Sequence, residues 1–104
     1  MADFIKITKA SDIPTGTMKT FRVHAKIIAV ANVDGNFFAI DDTCSHAQCS
    51  LGSEGFLDGS TVTCGCHGAQ FDVTTGSVLS LPATVNVASH EVRQENGEIY
   101  INII

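Results

Sequence analysis

Two short stretches of this chain carry the residue types that bind transition metals. Cys44-Ser45-His46 is followed, after 17 intervening residues, by Cys64-Gly65-Cys66-His67. Each stretch therefore offers a thiol and an imidazole. Thiolate is a soft ligand that iron-sulfur clusters prefer, and neutral imidazole suits several transition metals. Two Cys with two His can hold either a zinc ion or a [2Fe-2S] cluster with mixed ligands.

The spacing within the two stretches favours the cluster. One stretch has a His two residues after its Cys, and the other has a His three residues after its first Cys. Together they resemble the Rieske pattern, in which two thiolates hold one iron and two imidazoles hold the other. The resemblance covers essentially the whole chain. It implies one Rieske-type [2Fe-2S] cluster, with the following ligands: Cys44, His46, Cys64 and His67.

Two further cysteines match a second feature of the Rieske family. Cys49 lies five residues after Cys44, and Cys66 lies between Cys64 and His67. These positions match the pair that is disulfide-bonded in the Rieske proteins of respiratory and photosynthetic complexes, so the resemblance implies a bridge. Two free core thiols are the alternative. Disulfides are uncommon in reducing cytosol except in hyperthermophiles, so a bridge would favour a thermophilic source.

The residues that follow His67 bear on the reduction potential of such a cluster. In high-potential respiratory Rieske proteins, a Ser two residues after the second His ligand and a Tyr four residues after it donate hydrogen bonds to cluster sulfurs. This chain has Ala69 and Phe71 there, and neither side chain can donate. Because such bonds stabilise the more negative reduced state, their loss predicts a midpoint below about +100 mV, in the lower half of the Rieske range.

The elements that position these residues are predicted to be strands. Asp34-Gly35 between apolar runs predicts a hairpin that pairs residues 26–33 with 36–40. Asn96-Gly97 predicts another hairpin, which leads into residues 98–104. No helix is predicted, because strong helix formers nowhere recur at helical spacing. The chain is therefore expected to be all-β, a small antiparallel β barrel or sandwich with an inserted cluster-binding subdomain.

That subdomain is predicted from a change in sequence character after residue 41. The cysteines cluster there, five glycines occur, and no apolar periodicity persists. Short strands at 55–57, 61–63 and 70–73 would place two ligand loops at the tips of neighbouring hairpins. The expected organisation is a single Rieske domain, 1–104, with a base of 1–41 and 76–104 and a cluster-binding insertion of 42–75.

Four other polar residues have ordinary explanations. His24 and His90 are expected to be strand histidines, because neither has a Cys or carboxylate at ligand spacing. Asp41 and Asp42 precede the first ligand loop and are interpreted as turn residues at a strand end. Docking of a basic partner on these two carboxylates is the alternative.

Composition narrows the classes of partner. Six Lys and Arg against eleven Asp and Glu give a formal charge of −5, which argues against nucleic acid as a ligand. No run approaches the roughly 18 to 20 apolar residues of a membrane span, and the amino terminus lacks the pattern of a signal peptide. The expected protein is soluble and cytoplasmic.

The resemblance implies a Rieske-type ferredoxin, a one-electron carrier with no catalytic centre of its own. Its expected donor is a flavoprotein or other reductase. Its expected acceptor is a terminal oxygenase, as in aromatic-ring-hydroxylating dioxygenases, or another redox protein. Two alternatives remain open: a Rieske-like subunit of a larger enzyme such as an assimilatory nitrite reductase, and a structural zinc module.

Overall fold

The computed structural model describes residues 4–43, 49–66, 68–81 and 85–102 of the chain. Strands and turns make up nearly all of these ranges, which confirms the all-β prediction. Within them, no helix has the length and apolar character that a bilayer crossing requires. The strands are β1 (Phe4–Lys9), β2 (Met18–Val23), β3 (Lys26–Val33), β4 (Asn36–Asp41), β5 (Phe56–Asp58), β6 (Thr61–Thr63), β7 (Gln70–Asp72), β8 (Val78–Ser80), β9 (Ser89–Glu95) and β10 (Glu98–Asn102).

Six strands form an antiparallel sheet in the order β1-β10-β9-β4-β3-β2. The two predicted hairpins are present: Val33 pairs with Asn36 around Asp34-Gly35, and Glu95 pairs with Glu98 around Asn96-Gly97. Side chains from both edge strands, β1 and β2, pack on the same apolar core. The sheet is therefore a nearly closed barrel, in agreement with the predicted fold.

The other four strands form a second antiparallel sheet in the order β5-β6-β7-β8. Asp58 and Thr61 pair across the first turn of this meander, as the sequence predicts. The sheet ends with β8, Val78–Ser80, so it continues past residue 75, the predicted end of the insertion. The chain turns at Gly76, and the three-residue β8 then runs back along β7.

Strand β3 separates two apolar cores because its side chains alternate between its two faces. Ile28 and Val30 point into the barrel core. Ala29 and Ala31 face the other way, into the core beneath the second sheet. All four side chains are fully buried. The small alanines lie on the face that meets the second sheet, where short side chains let the two layers approach closely.

Three local features differ from the sequence prediction. A single turn of helix, α1 (Leu51–Glu54), follows the first ligand loop, and a 3-10 turn spans Ala10–Asp12. Neither is long enough to produce a helical sequence period. His24 lies in the turn between β2 and β3 with φ of 56°, not in a strand. The prediction was wrong there because the β2–β3 turn contains no glycine signal.

Candidate metal centre

The second ligand loop is a tight turn between β6 and β7. The Cys64 N–H donates to the Ala69 carbonyl oxygen at 2.7 Å, and the Gly68 N–H donates to the Cys64 carbonyl oxygen at 3.0 Å. Gly68 has a φ of +80°, in the left-handed region that glycine adopts without strain. The turn thus fixes the backbone at Cys64. His67, the predicted imidazole ligand of this loop, lies outside the described residues.

The Cys64 side chain is buried at the tip of the second sheet. It is 1 % exposed and belongs to the apolar core that also contains Ala69 and Phe71. Both neighbours are fully buried. This surrounding offers the Cys64 sulfur no side-chain hydroxyl from positions 69 and 71. Among the described residues, Cys64 is also the one cysteine without a disulfide partner.

Cys49 and Cys66 form a disulfide, as the resemblance implies. Their Cα atoms are 6.5 Å apart, and 17 positions separate them in the sequence. The bridge joins the end of the first ligand loop to the tip of the second. It therefore ties together the two segments in which the predicted ligands lie.

The sulfur atoms of Cys49, Cys64 and Cys66 all lie within 4.8 Å of one another. Two of them are committed to the disulfide, so Cys64 is the thiol in this group that can become a thiolate ligand. A buried thiol beside a bridge that holds the partner loop fits a mixed Cys/His cluster. Cys44 and His46, like His67, lie outside the described residues, and their convergence on Cys64 stays a prediction.

The base of the first ligand loop is well defined. Thr43 and Ser50 form an isolated antiparallel bridge, and the Leu51 N–H donates to the Asp42 carbonyl oxygen at 2.7 Å. Asp42 lies in a bend directly after β4, as the sequence predicts, and its side chain is buried, with only 3 % of its surface exposed. Its carboxylate accepts a hydrogen bond from the hydroxyl of Thr20, which is distant in sequence. No local sequence signal marks that contact.

His90 and Asp41 form a second polar pair near this base. The His90 side chain is 1 % exposed, and its Nε2 lies 2.8 Å from Oδ1 of Asp41. His90 Nδ1 is buried and has no hydrogen-bond partner among the residues that the structure describes. Because a carboxylate oxygen accepts, Nε2 is the donor of this pair. The pair joins β9 to the end of β4, so His90 is structural, as predicted.

Comparison with known proteins identifies the class of this centre. The model of the Rieske [2Fe-2S] domain family matches residues 3–91. The chain belongs to this family, and its cofactor is one Rieske-type [2Fe-2S] cluster.

The relatives are named as electron-transfer components of dioxygenases. The chain is 42 % identical over 99 residues to ferredoxin CarAc of Metapseudomonas resinovorans, covering 94 % of this chain and 92 % of the relative. It is 40 % identical over 98 residues to the ferredoxin component of biphenyl 2,3-dioxygenase from Rhodococcus jostii, covering 94 % and 91 %.

Solved structures agree with these relatives. A chain in the complex of reduced oxygenase and oxidized ferredoxin of carbazole 1,9a-dioxygenase superimposes with a TM-score of 0.88 at 42 % identity, covering 95 % of this chain and 92 % of that one. The carbazole 1,9a-dioxygenase ferredoxin of Nocardioides aromaticivorans IC177 gives a TM-score of 0.92 at 25 % identity, covering 97 % and 98 %.

Proposed function

We propose that this protein is a Rieske-type ferredoxin that carries single electrons from a reductase to a terminal oxygenase. The observation that supports this most directly is the buried, unbridged Cys64, held beside a disulfide that joins the two ligand loops. In a chain of the Rieske family, this arrangement suits a cluster that is retained while electrons enter and leave. The protein is a carrier and does not catalyse the oxygenation.

The proposed ligands are Cys44, His46, Cys64 and His67. When bound, the cluster supplies a centre that accepts and releases one electron. The chain contributes the surroundings of that centre. Burial of Cys64 keeps water from its sulfur, and the two hydrogen bonds of the turn fix its backbone. Ala69 and Phe71 place only hydrocarbon in the same core, which favours a low potential.

The proposed partners are a flavoprotein or other reductase as donor and the terminal oxygenase of a dioxygenase as acceptor. They are supported by the relatives, which are named as ferredoxin components of dioxygenases, and by the complex of ferredoxin with oxygenase. The alternative, a Rieske-like subunit of a nitrite reductase, has no such support among these relatives. A cytoplasmic location is part of the proposal and is tested by cell fractionation.

The cluster and its ligands are tested on purified protein. The wild type should contain two iron and two sulfide per chain and give a Rieske-type electron paramagnetic resonance spectrum after reduction. Cys64→Ser should abolish that spectrum. The double variant Cys49→Ser with Cys66→Ser removes two other sulfurs of the same group and should still form the cluster. A colourless wild type containing one zinc per chain would contradict the proposal.

Electron transfer is tested separately with a reductase and an oxygenase of a related dioxygenase system. The absorbance of the cluster should bleach on mixing with reduced reductase and return on mixing with oxidised oxygenase. The Cys64→Ser variant is the matched control, because it changes one atom in the buried centre. If the reductase bleaches the cluster absorbance but the oxidised oxygenase does not restore it, the oxygenase is not the electron acceptor.

A further inference from the structure

The first ligand loop is anchored by a residue outside the predicted ligand set. Asp42 is buried at the end of β4, two residues before Cys44. Its Oδ1 accepts from the Thr20 hydroxyl at 2.9 Å and from the Gly52 N–H at 2.9 Å. Its own N–H donates to the Ile27 carbonyl oxygen at 3.1 Å. The buried carboxylate thus connects β2 and α1 at the base of the loop, and the backbone of the same residue connects to β3.

The Thr20 hydroxyl is the centre of this network. Besides Asp42, it lies 3.1 Å from the hydroxyl oxygens of Ser50 and Ser53. A carboxylate only accepts, so the Thr20 proton goes to Asp42 and the two serines donate to Thr20. The Ser50 oxygen also accepts from the Ser53 N–H at 3.1 Å and caps α1. Every hydroxyl in the network can therefore be satisfied at once.

The close approach of α1 to β2 depends on Gly52. A Cβ at this position would overlap the Thr20 hydroxyl oxygen and lie 3.0 Å from Asp42 Oδ1. Hydrogen bonds to a charged acceptor in a partly buried site are among the stronger polar contacts, and a buried carboxylate that loses a donor is destabilised. The network therefore defines the position of both ends of the loop, Asp42 on entry and Ser50 on return.

We propose that Thr20 and Asp42 are positioning residues for the cluster. They hold the base of the first ligand loop against the barrel and so fix where Cys44 and His46 are presented. The Cys49–Cys66 disulfide tethers the same loop to the second one, so the loop has a covalent tether on one side and a polar anchor on the other. This inference rests on the proposed ligand set and adds residues that do not touch the iron.

The decisive variant is Thr20→Val, which replaces the hydroxyl by a methyl group of similar size. Thr20→Ser keeps the hydroxyl and is the conservative variant. A matched control exists at the other end of β3. Asn32 is 7 % exposed, its amide donates to the Ile13 carbonyl oxygen at 2.7 Å, and its Oδ1 accepts from the Gly35 N–H at 2.8 Å. Asn32→Ala removes a comparable buried network far from the loop.

Three properties are measured on the cluster-loaded proteins. These are the rate of loss of visible absorbance in excess chelator at room temperature, the electron paramagnetic resonance spectrum of the reduced form, and the thermal unfolding midpoint by circular dichroism. We expect Thr20→Val to lose its cluster roughly tenfold faster or more, as removal of one hydrogen bond to a carboxylate implies. Its spectrum should broaden, because the loop samples more than one position.

Thr20→Ser should match the wild type in both cluster measurements. Asn32→Ala should lower the unfolding midpoint and leave cluster loss and spectrum unchanged. The proposal is overturned if Thr20→Val retains its cluster like the wild type, or if Asn32→Ala loses it equally fast. If Thr20→Val does not fold, Ser53→Ala removes one donor to Thr20 and should still accelerate cluster loss. A wild type that forms no [2Fe-2S] cluster would instead contradict the proposed function.

Discussion

The barrel and the cluster-binding insertion are held together in different ways. The barrel core is built mainly from branched aliphatic side chains, including Ile13, Ile28, Ile99 and Ile101, all fully buried. The insertion has three-residue strands, and its core includes Cys64 and several small residues. Its loops are fixed by specific bonds: one disulfide, backbone hydrogen bonds at the turn, and the buried carboxylate of Asp42.

This difference separates two properties of the protein: the stability of its fold and the placement of its ligand atoms. Non-directional apolar burial determines whether the chain folds, and it tolerates small rearrangements. Directional bonds determine where ligand atoms lie, and they contribute less to global stability. Variants in the barrel core should therefore change the free energy of unfolding, whereas variants in the insertion should change mainly retention and potential of the cluster.

The largest effect is expected in the barrel, at Ile28. Ile28→Ala removes a fully buried side chain and should lower the free energy of unfolding by about 2–5 kcal/mol. Ile27→Ala is the matched control on the same strand, because Ile27 is 40 % exposed and its truncation should change stability far less. Denaturant titration followed by circular dichroism measures both. Equal losses for the two variants would contradict the assignment of the barrel core.

The disulfide should give the next largest effect, and a more local one. Its 17-residue separation corresponds to a loop-entropy contribution on the order of 3 kcal/mol in the chain-entropy model. In the double variant Cys49→Ser with Cys66→Ser, the cluster absorbance should be lost at a lower temperature than in the wild type. The barrel signal in circular dichroism should shift less. If both signals shift together by the same amount, the insertion does not open independently of the barrel.

The reduction potential of the cluster should depend on Ala69 and Phe71, whose side chains lack hydroxyl groups. We expect a wild-type midpoint below about +100 mV. Ala69→Ser and Phe71→Tyr each add a possible donor in the core that holds Cys64 and should raise the midpoint. A bond that favours the reduced state by about 1.4 kcal/mol corresponds to about 59 mV for one electron. Redox titration measures the shift, and a wild-type value above about +200 mV would contradict this interpretation of Ala69 and Phe71.

The sequence predicted those parts of the molecule that depend on local chemistry. Asp34-Gly35 and Asn96-Gly97 identify their hairpins because positive φ is needed within the turn itself. The three-residue β8 was not predicted: it follows the turn at Gly76, and a register irregularity interrupts its pairing with β7.

The candidate site likewise has features that the sequence predicts and one that it does not. The Cys and His spacing and the Cys49–Cys66 pair could be recognised because they match a family pattern. The contact between Thr20 and Asp42 could not be recognised, because these residues are 22 positions apart and only the fold brings them together. A carboxylate at a strand end ordinarily indicates an exposed turn. Its burial here is a property of packing between β2 and α1.

The smallest effect expected is electrostatic and lies at the surface of the barrel. The Thr8 hydroxyl, and then the Lys9 N–H, donate to the Asp12 carboxylate and hold its pKa below the usual value. Lys6 likewise lowers the pKa of Glu98 through a direct hydrogen bond. A carboxylate whose pKa is lower in the folded state stabilises the fold at pH above its unfolded pKa. That contribution is lost as the pH falls through the lower folded value.

The thermal midpoint of the barrel should therefore decrease as the pH is lowered below about 4, the ordinary range of carboxylates. Asp12→Asn should flatten this dependence, because the variant has no carboxylate to protonate. Asp58→Asn, a change at an exposed carboxylate of the insertion, is the control and should follow the wild type. Melting curves by circular dichroism across this pH range make the comparison. If Asp58→Asn flattened the dependence as much as Asp12→Asn, surface charge in general would be responsible, and the hydrogen bonds at Asp12 would not be.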